Sequence, residues 1–390
     1  MANTLTFDQL ATVLNAVVEQ ATGRTEIKPV NTGEFVAVGQ KALLTGYDPL
    51  NTAISQVLAK TIFSTRPYYA KFRGLEVDNQ KWGNMVRKLT MVDPKFRESE
   101  RYTLQDGASV DQQIVCAPKA LQLNFYGAEA YDLCRTVYRD QLDSAMTGPD
   151  EFGMFITMLM QNASDVIEQS HEATARLTLA NYITGIIAEN SVERVVHLVT
   201  EYNAYIGGSY TSATIKAPDV YPAFVKWVFG RIASISSMMT ERSELFHTNL
   251  TGSPVSRHTP YDRQRVYLLA SERYGIEAQV FADTYHDNYL KWADNETVNF
   301  WQSIRTPDTI TAAPTYLLPD GSLTTPEEAV SATPIFGVIM DTEAAGLTVM
   351  SQWAAAAPFN ARGGYTTYWW HFTDKYWNDF TENGVVLLMD

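Results

Sequence analysis

Apolar residues recur at helical spacing near the start of the chain (Leu10, Val13, Leu14, Val17), behind a Thr6 cap, and predict an amphipathic helix. The period fails across 23–40, which reads as an extended arm or loop. It returns at Ile54, Val57, Leu58 and Ile62 as a second short helix. From 66 to 118 the alternation comes only in pieces (Met85, Arg87, Leu89, Met91), between Gly74, Gly83, Pro94, Gly107 and Pro118. Strands without a core-like face predict a hairpin that projects from the body. The strongest signal runs from about 150 to 188. Phe152, Phe155, Ile156, Leu159, Ala163, Val166, Ile167, Ala173, Leu177 and Ala180 form one stripe, opposite Gln161, Asp165, Gln169, Glu172 and Arg176. No proline or glycine interrupts 154–184, so the pattern predicts one helix about 50 Å long.

Beyond residue 191 the pattern is mixed. Residues 220–242 read as a helix, and 264–271 and 335–341 as short buried strands. Residues 305–334, with five prolines in thirty residues, read as a long loop. The chain closes on an aromatic strand, with Tyr368, Trp370 and Phe372 on one face and Tyr365, Trp369 and His371 on the other. An Asn383-Gly384 turn then leads to a last apolar strand. With rings on both faces, both are expected to be at least partly covered.

Composition adds bounds. The 390 residues are 45% hydrophobic and 19% charged, which is globular and long enough for two or three lobes. A net charge of −14 argues against a surface that binds nucleic acid all over. The charge is uneven: 66–101 holds nine Lys/Arg against five Asp/Glu, whereas 271–390 holds sixteen Asp/Glu against five Lys/Arg. Cys116 and Cys134 form no metal-type spacing or disulfide framework, which fits a reducing compartment. The first twenty residues lack the basic and apolar regions of a signal peptide. The uncharged run 152–164 is too short to span a bilayer.

Signatures of chemistry are missing. There is no GxGxxG or P-loop. The His171 stretch "HEATA" has Ala175 where a zinc helix needs its second ligand, and "GGSYT" lacks the second glycine of a nucleophile elbow. The six histidines are scattered, and His371 between Trp370 and Phe372 reads as a buried, hydrogen-bonded ring. No catalytic residue, cofactor or metal is expected.

Three stretches carry a resemblance. They are "RPYYAKFRGLEVDNQKWGNMVRKLT", "GPDEFGMFITMLMQNASDVIEQSHEATARLTLANYITG", and the closing segment from "IFGVIMD" to "YTTYWWHFTDKYW" with its Asn360-x-Arg362-Gly363 turn. In this order they resemble the major capsid proteins of tailed bacteriophages, of the Hong Kong ninety-seven type, and look closest to those of small podophages with protein-primed replication. The resemblance implies an α+β capsid fold: an N-terminal arm (1–50), an extended β-hairpin loop (76–118), a peripheral domain with a long spine helix (51–75, 119–190 and 351–390) and an axial domain (191–350). It implies a non-enzymatic shell protein that forms pentamers and hexamers around double-stranded DNA, is made in the host cytoplasm and ends in the virion. Its partners would be further copies of itself, a portal protein and a separate scaffolding protein, with no membrane. The scaffolding segment and immunoglobulin-like domain of some relatives are not expected here.

In that fold the extended loop lies across an adjacent subunit. Subunit-interface residues are therefore expected at Lys81, Trp82, Arg87, Lys88, Arg97 and Arg101 in the basic loop, which would meet the acidic half of a neighbour. The others are Arg362, Tyr365 and Trp369 beside the aromatic strand. Two alternatives stay open at this stage: an encapsulin-like cellular shell, and an α+β enzyme with an unrecognised site.

Overall fold

The computed structural model describes residues 7–22, 29, 32–44, 71–77, 85–96, 98–111, 113–126, 128–277 and 294–390. Helices α1 (Phe7–Thr22) and α2 (Thr32–Leu44) come first, then the antiparallel pair β1 (Met85–Met91) and β2 (Ala120–Tyr126). Strand β3 (Glu129–Tyr138) and helix α3 (Arg139–Ala145) lead into α4 (Pro149–Glu189). That helix has 41 residues, hence a length of about 60 Å. Proline opens its first turn together with Asp150 and Glu151, which complement the helix dipole, and Asn190 closes it in the left-handed region at φ 56°.

Beyond α4 come β4 (Val195–His197), α5 (Leu198–Ile206), α6 (Tyr221–Met239), β5 (Gln264–Leu269), α7 (Ala270–Ile276) and β6 (Asp294–Val298). Strands β7 (Ile310–Ala312), β8 (Tyr316–Leu317), β9 (Leu323–Thr324) and β10 (Val330–Ala332) precede β11 (Ile335–Asp341), β12 (Ala345–Ala356), β13 (Tyr365–Asn378) and β14 (Gly384–Leu388).

Two sheets share α4 as their common support. The first has the order β12-β13-β3, all antiparallel. It packs with α1, α2 and the N-terminal half of α4 in a cluster containing Leu14, Phe35, Phe152, Tyr368, Trp370 and Phe372. The second has the order β4-β14-β11-β5-β6. Its inner strands β14, β11 and β5 are buried on both faces, which is why they read as apolar runs. Val386, Val338 and Tyr267 face the C-terminal half of α4. Val385, Ile339 and Val266 face α5 and α6.

Three expectations change. Residues 32–40 are helical, not extended, because Phe35 and Val38 dock one turn apart on the α4 start; the Phe35 and Phe152 rings meet edge-on at 5.7 Å. The proline-rich stretch is a nested pair of ladders, β7–β10 and β8–β9. Its base, through Ile310 and Ala332, is buried in the α4 cluster. Finally, β13 and β14 part company: β13 stays in the first sheet, while β14 crosses to the second, between β4 and β11. The short helix expected at 54–62 lies outside the described residues. Among the described residues no helix is long and apolar enough to cross a membrane.

Candidate assembly surfaces and the turn that joins them

The aromatic strand resolves into two unequal faces. Tyr368, Trp370 and Phe372 are buried against α4. The opposite face carries the rows Trp353–His371–Asp132, Ala355–Trp369–Cys134 and Tyr365–Tyr138, set by the strand register. His371 is half-buried and stacks on Trp353 with centroids 4.0 Å apart at 22°, and beyond it on Trp369. Stacking, not the expected buried hydrogen bonding, therefore orients this ring. Tyr365 meets Tyr138 edge-on at 6.0 Å. Trp353 keeps 54% of its surface exposed, and Cys134 and Tyr138 are exposed as well.

The β12–β13 connection rests on an Asx turn. Asn360 Oδ1 accepts the Gly363 amide at 2.9 Å, and the Asn360 carbonyl accepts that of Gly364 at 2.8 Å. Gly364 takes φ 64°, which a side chain would resist. Arg362 is exposed on this turn.

A second surface is the projecting pair β1–β2 and the 28 residues between them. Val86, Lys88 and Thr90 alternate with Arg87, Leu89 and Met91, the first set half-buried and the second exposed. Further out, Phe96, Tyr102, Leu104, Ile114 and Val115 are all exposed. Arg101 is exposed and lies over the Tyr102 ring at 4.6 Å. Of the expected interface residues, Lys81, Trp82 and Arg97 lie outside the described residues. Arg87, Arg101 and Arg362 are solvent-facing, and Tyr365 and Trp369 share the outer sheet face.

Lys88 is placed differently. Its Nζ reaches Asp379 Oδ2 at 2.6 Å and bonds Glu382 of the same chain. The attraction between basic loop and acidic C-terminal half thus begins within one molecule at this residue. Arg257 Nη1 lies 2.9 Å from Glu382, and its Nε donates to the Thr381 carbonyl. Burial by itself would lower the Lys88 amine, but Asp379 and Glu382 hold it above its ordinary value. Burial likewise lifts the Glu382 carboxyl, against the pull of Lys88 and Arg257.

The turn that carries these carboxylates, 379–383, links the two sheets and is almost wholly buried. Arg194, fully buried, bonds Glu189 at the end of α4, Thr248 Oγ1 at 2.8 Å and the Gly384 carbonyl at 3.3 Å. His247 lies between Asn383 Oδ1 (3.1 Å) and the Val255 carbonyl (2.8 Å), and burial lowers its pKa. Phe380 stacks on Tyr182 of α4 at 5.5 Å. Gly384 is obligatory by close approach, since a Cβ there would sit 2.1 Å from the Tyr182 hydroxyl. On the other end of the first sheet, His171 of α4 reaches Asp374 of β13 at 3.4 Å; burial raises that carboxyl and His171 counters it.

Sequence reasoning missed Trp353, Asp379, Glu382, Arg257 and Arg194. Trp353 had a signal, as the lone large ring in an alanine run. The charged residues had none: Asp379, Glu382 and Arg257 meet partners more than a hundred positions away, and Arg194, though five positions from Glu189, is buried only through Thr248 and Gly384.

Among the described residues no group of His, Cys, Asp and Glu could hold a metal ion. The geometry describes faces and a buried junction. No curated protein sequence matches the chain. The fold is similar to the solved capsid of Staphylococcus phage Andhra, at 10% identity and a TM-score of 0.54, covering 85% of this chain and 87% of that one. The same identity, coverage and score relate it to a chain in the structure of the head fibre and inner core protein gp22 of native bacteriophage P68. The family profile described as Phi29-like phage major capsid protein matches residues 14–388. The chain therefore belongs to the Phi29-like phage major capsid proteins and is a structural component of a tailed-phage shell.

Proposed function

We propose that the chain closes an icosahedral shell as pentamers and hexamers, with the projecting segment of one subunit covering the outer β12-β13-β3 face of the next. The observation that carries this reading is a matched pair of uncovered apolar surfaces. On the sheet Trp353 and Tyr138 lie open beside half-buried Trp369 and Tyr365, and Phe96, Tyr102, Ile114 and Val115 lie open on the projection. Aromatic side chains of this kind favour interfaces over solvent. Arg87 and Arg101, with Lys81, Trp82 and Arg97, belong to the projecting side of the contact. Arg362, Tyr365 and Trp369 belong to the receiving side.

In this reading 76–118 is the extended loop and α4 the spine of the peripheral domain. The second sheet with α5 and α6 forms the axial domain, to which β14 also belongs. The role is non-enzymatic. The protein is made in the host cytoplasm, assembles with a separate scaffolding protein and a portal protein, and encloses double-stranded DNA without sequence preference. A net charge of −14 supports the last point, since a strongly basic lining would hold the genome through counterion release.

The test is expression of the chain, alone and with a candidate scaffolding protein, followed by electron microscopy of the clarified fraction. Closed shells or tubes of uniform wall are expected. Uniform 43.7 kDa monomers under both conditions would refute self-assembly of this chain.

A further inference from the structure

We infer that the β1–β2 hairpin is held to its own body by a releasable charge latch, in which Lys88 is the positioning residue that sets the angle of the projection. Among the described residues no strand residue of this hairpin belongs to any of the three apolar clusters. Its inner face (Val86, Lys88, Thr90, Leu121, Leu123, Phe125) is only half-buried. A cavity of about 20 Å³ remains between Thr90, Leu121 and Leu123 on the hairpin and His247, Leu250 and Val255 on the body, so the apolar seam is not closed.

Polar contacts hold it at two stations. At the first, Lys88 bonds Asp379 and Glu382, and Arg257 joins Glu382 to Thr90 through Nη2–Oγ1 at 3.2 Å. Half-exposed Glu343 lies 3.7 Å from Lys88. At the second, Asp93 accepts the Ser256 amide at 2.8 Å and pairs with Arg242. The inner charges balance, with Lys88 and Arg257 set against Asp379 and Glu382.

A hairpin packed in a core would have to lose many contacts together before it could swing. One held by a few charge-assisted bonds loosens when a single cation is removed, because each bond carries a large share of the attachment. The turn survives that loss. Arg257 still serves Glu382, and Thr381 still donates its amide and hydroxyl to Asp379 Oδ1 at 2.9 and 2.6 Å. The latch is a property of the single chain. Its consequence for the shell rests on the reading that the projection reaches a neighbour: an unlatched hairpin leaves at variable angles and builds particles of mixed diameter.

Hydrogen–deuterium exchange of the full unassembled chain tests the latch, with peptides over 85–126 as the readout and β11 and β14 as the reference. A two-stranded hairpin detached from its support is marginal in water. In Lys88→Met its amides should exchange about tenfold faster or more, with the reference strands unchanged. Lys88→Arg should restore most of the protection. Lys88→Met combined with Glu382→Gln removes one charge of each sign, so it guards against general loosening from an unbalanced buried carboxylate. The hairpin alone should exchange faster there too. Unchanged exchange over 85–126 in both variants overturns the latch, as does equal acceleration of hairpin and reference strands in both. Particle diameters are read separately by electron microscopy. Faster hairpin exchange with uniform, wild-type particles keeps the latch and overturns only its role in curvature.

Discussion

Replacing Trp353 with alanine tests whether the outer sheet face meets a neighbour. Trp353 keeps 54% of its surface exposed and leans on His371 at 4.0 Å. A tryptophan offers roughly 200–250 Å², so about 120 Å² stays open in the free chain. At about 25 cal/mol per Å², covering that area is worth about 3 kcal/mol, of which alanine recovers only a small part. A loss of about 2–3 kcal/mol per contact weakens pairwise association roughly 30- to 150-fold. The cost to the free chain is the roughly 100 Å² that the ring already buries, about 2 kcal/mol, together with the stacking on His371, about 0.5–1.5 kcal/mol. Light scattering against subunit concentration reads the assembly threshold, and urea unfolding of the unassembled chain reads stability. The threshold should rise steeply while the unfolding midpoint falls by no more than that free-chain cost. A threshold within about twofold of wild type, with the fold intact, would mean that no neighbour covers this face. A collapse of the unfolding midpoint would show Trp353 to be internal support, and would refute the reasoning equally.

Arg194→Met removes the cation between Glu189 and Thr248 and should cost about 3–5 kcal/mol in urea unfolding, most of it recovered when Glu189→Met is added. Gly384→Ala drives a methyl group into the Tyr182 hydroxyl and should cost about 1–3 kcal/mol, with full relief by Tyr182→Ala excluded because that change opens a cavity. Gly364→Ala should cost about 1 kcal/mol through its φ of 64°, read as a lower thermal midpoint of the unassembled chain. His247 is held below its ordinary value of 6.5 by burial, so the unfolded chain takes up that proton first and stability falls as pH drops below 6.5. Glu382 and Asp374 act in the opposite sense: their raised folded values make the contribution of each fall as pH rises through that value. The His247 share is therefore read as the difference between wild type and His247→Gln, whose pH profile should be flatter over the acidic window.

Local periodicity was enough to place α1, α4, α6, β5, β11 and the two-faced aromatic strand, because each element declares its buried side through a repeat of 3.6 or 2 residues. It also marked the projecting hairpin, through alternation that never builds a core face. It did not find α2, where Phe35 and Val38 give too short a stripe and only contact with Phe152 makes the helix worthwhile. Even along α4 the stripe misled at Val166 and Leu177. These residues lie eleven apart on one line of the helix and are 41% and 45% exposed, because neither sheet reaches that line.

The interface residues divide in the same manner. Tyr365 and Trp369 were legible because alternation assigns them a face within their own strand. The meeting of Lys88 with Asp379 and Glu382 was not, since 291 and 294 positions separate the partners. The sequence by itself determined that a basic projection and an acidic C-terminal half attract. Only the tertiary structure decided that the attraction is first satisfied within one chain. The turn after β13 crosses between sheets and carries its carboxylates under the hairpin, and a charge holds no information about its partner until the backbone brings the two within a few ångströms.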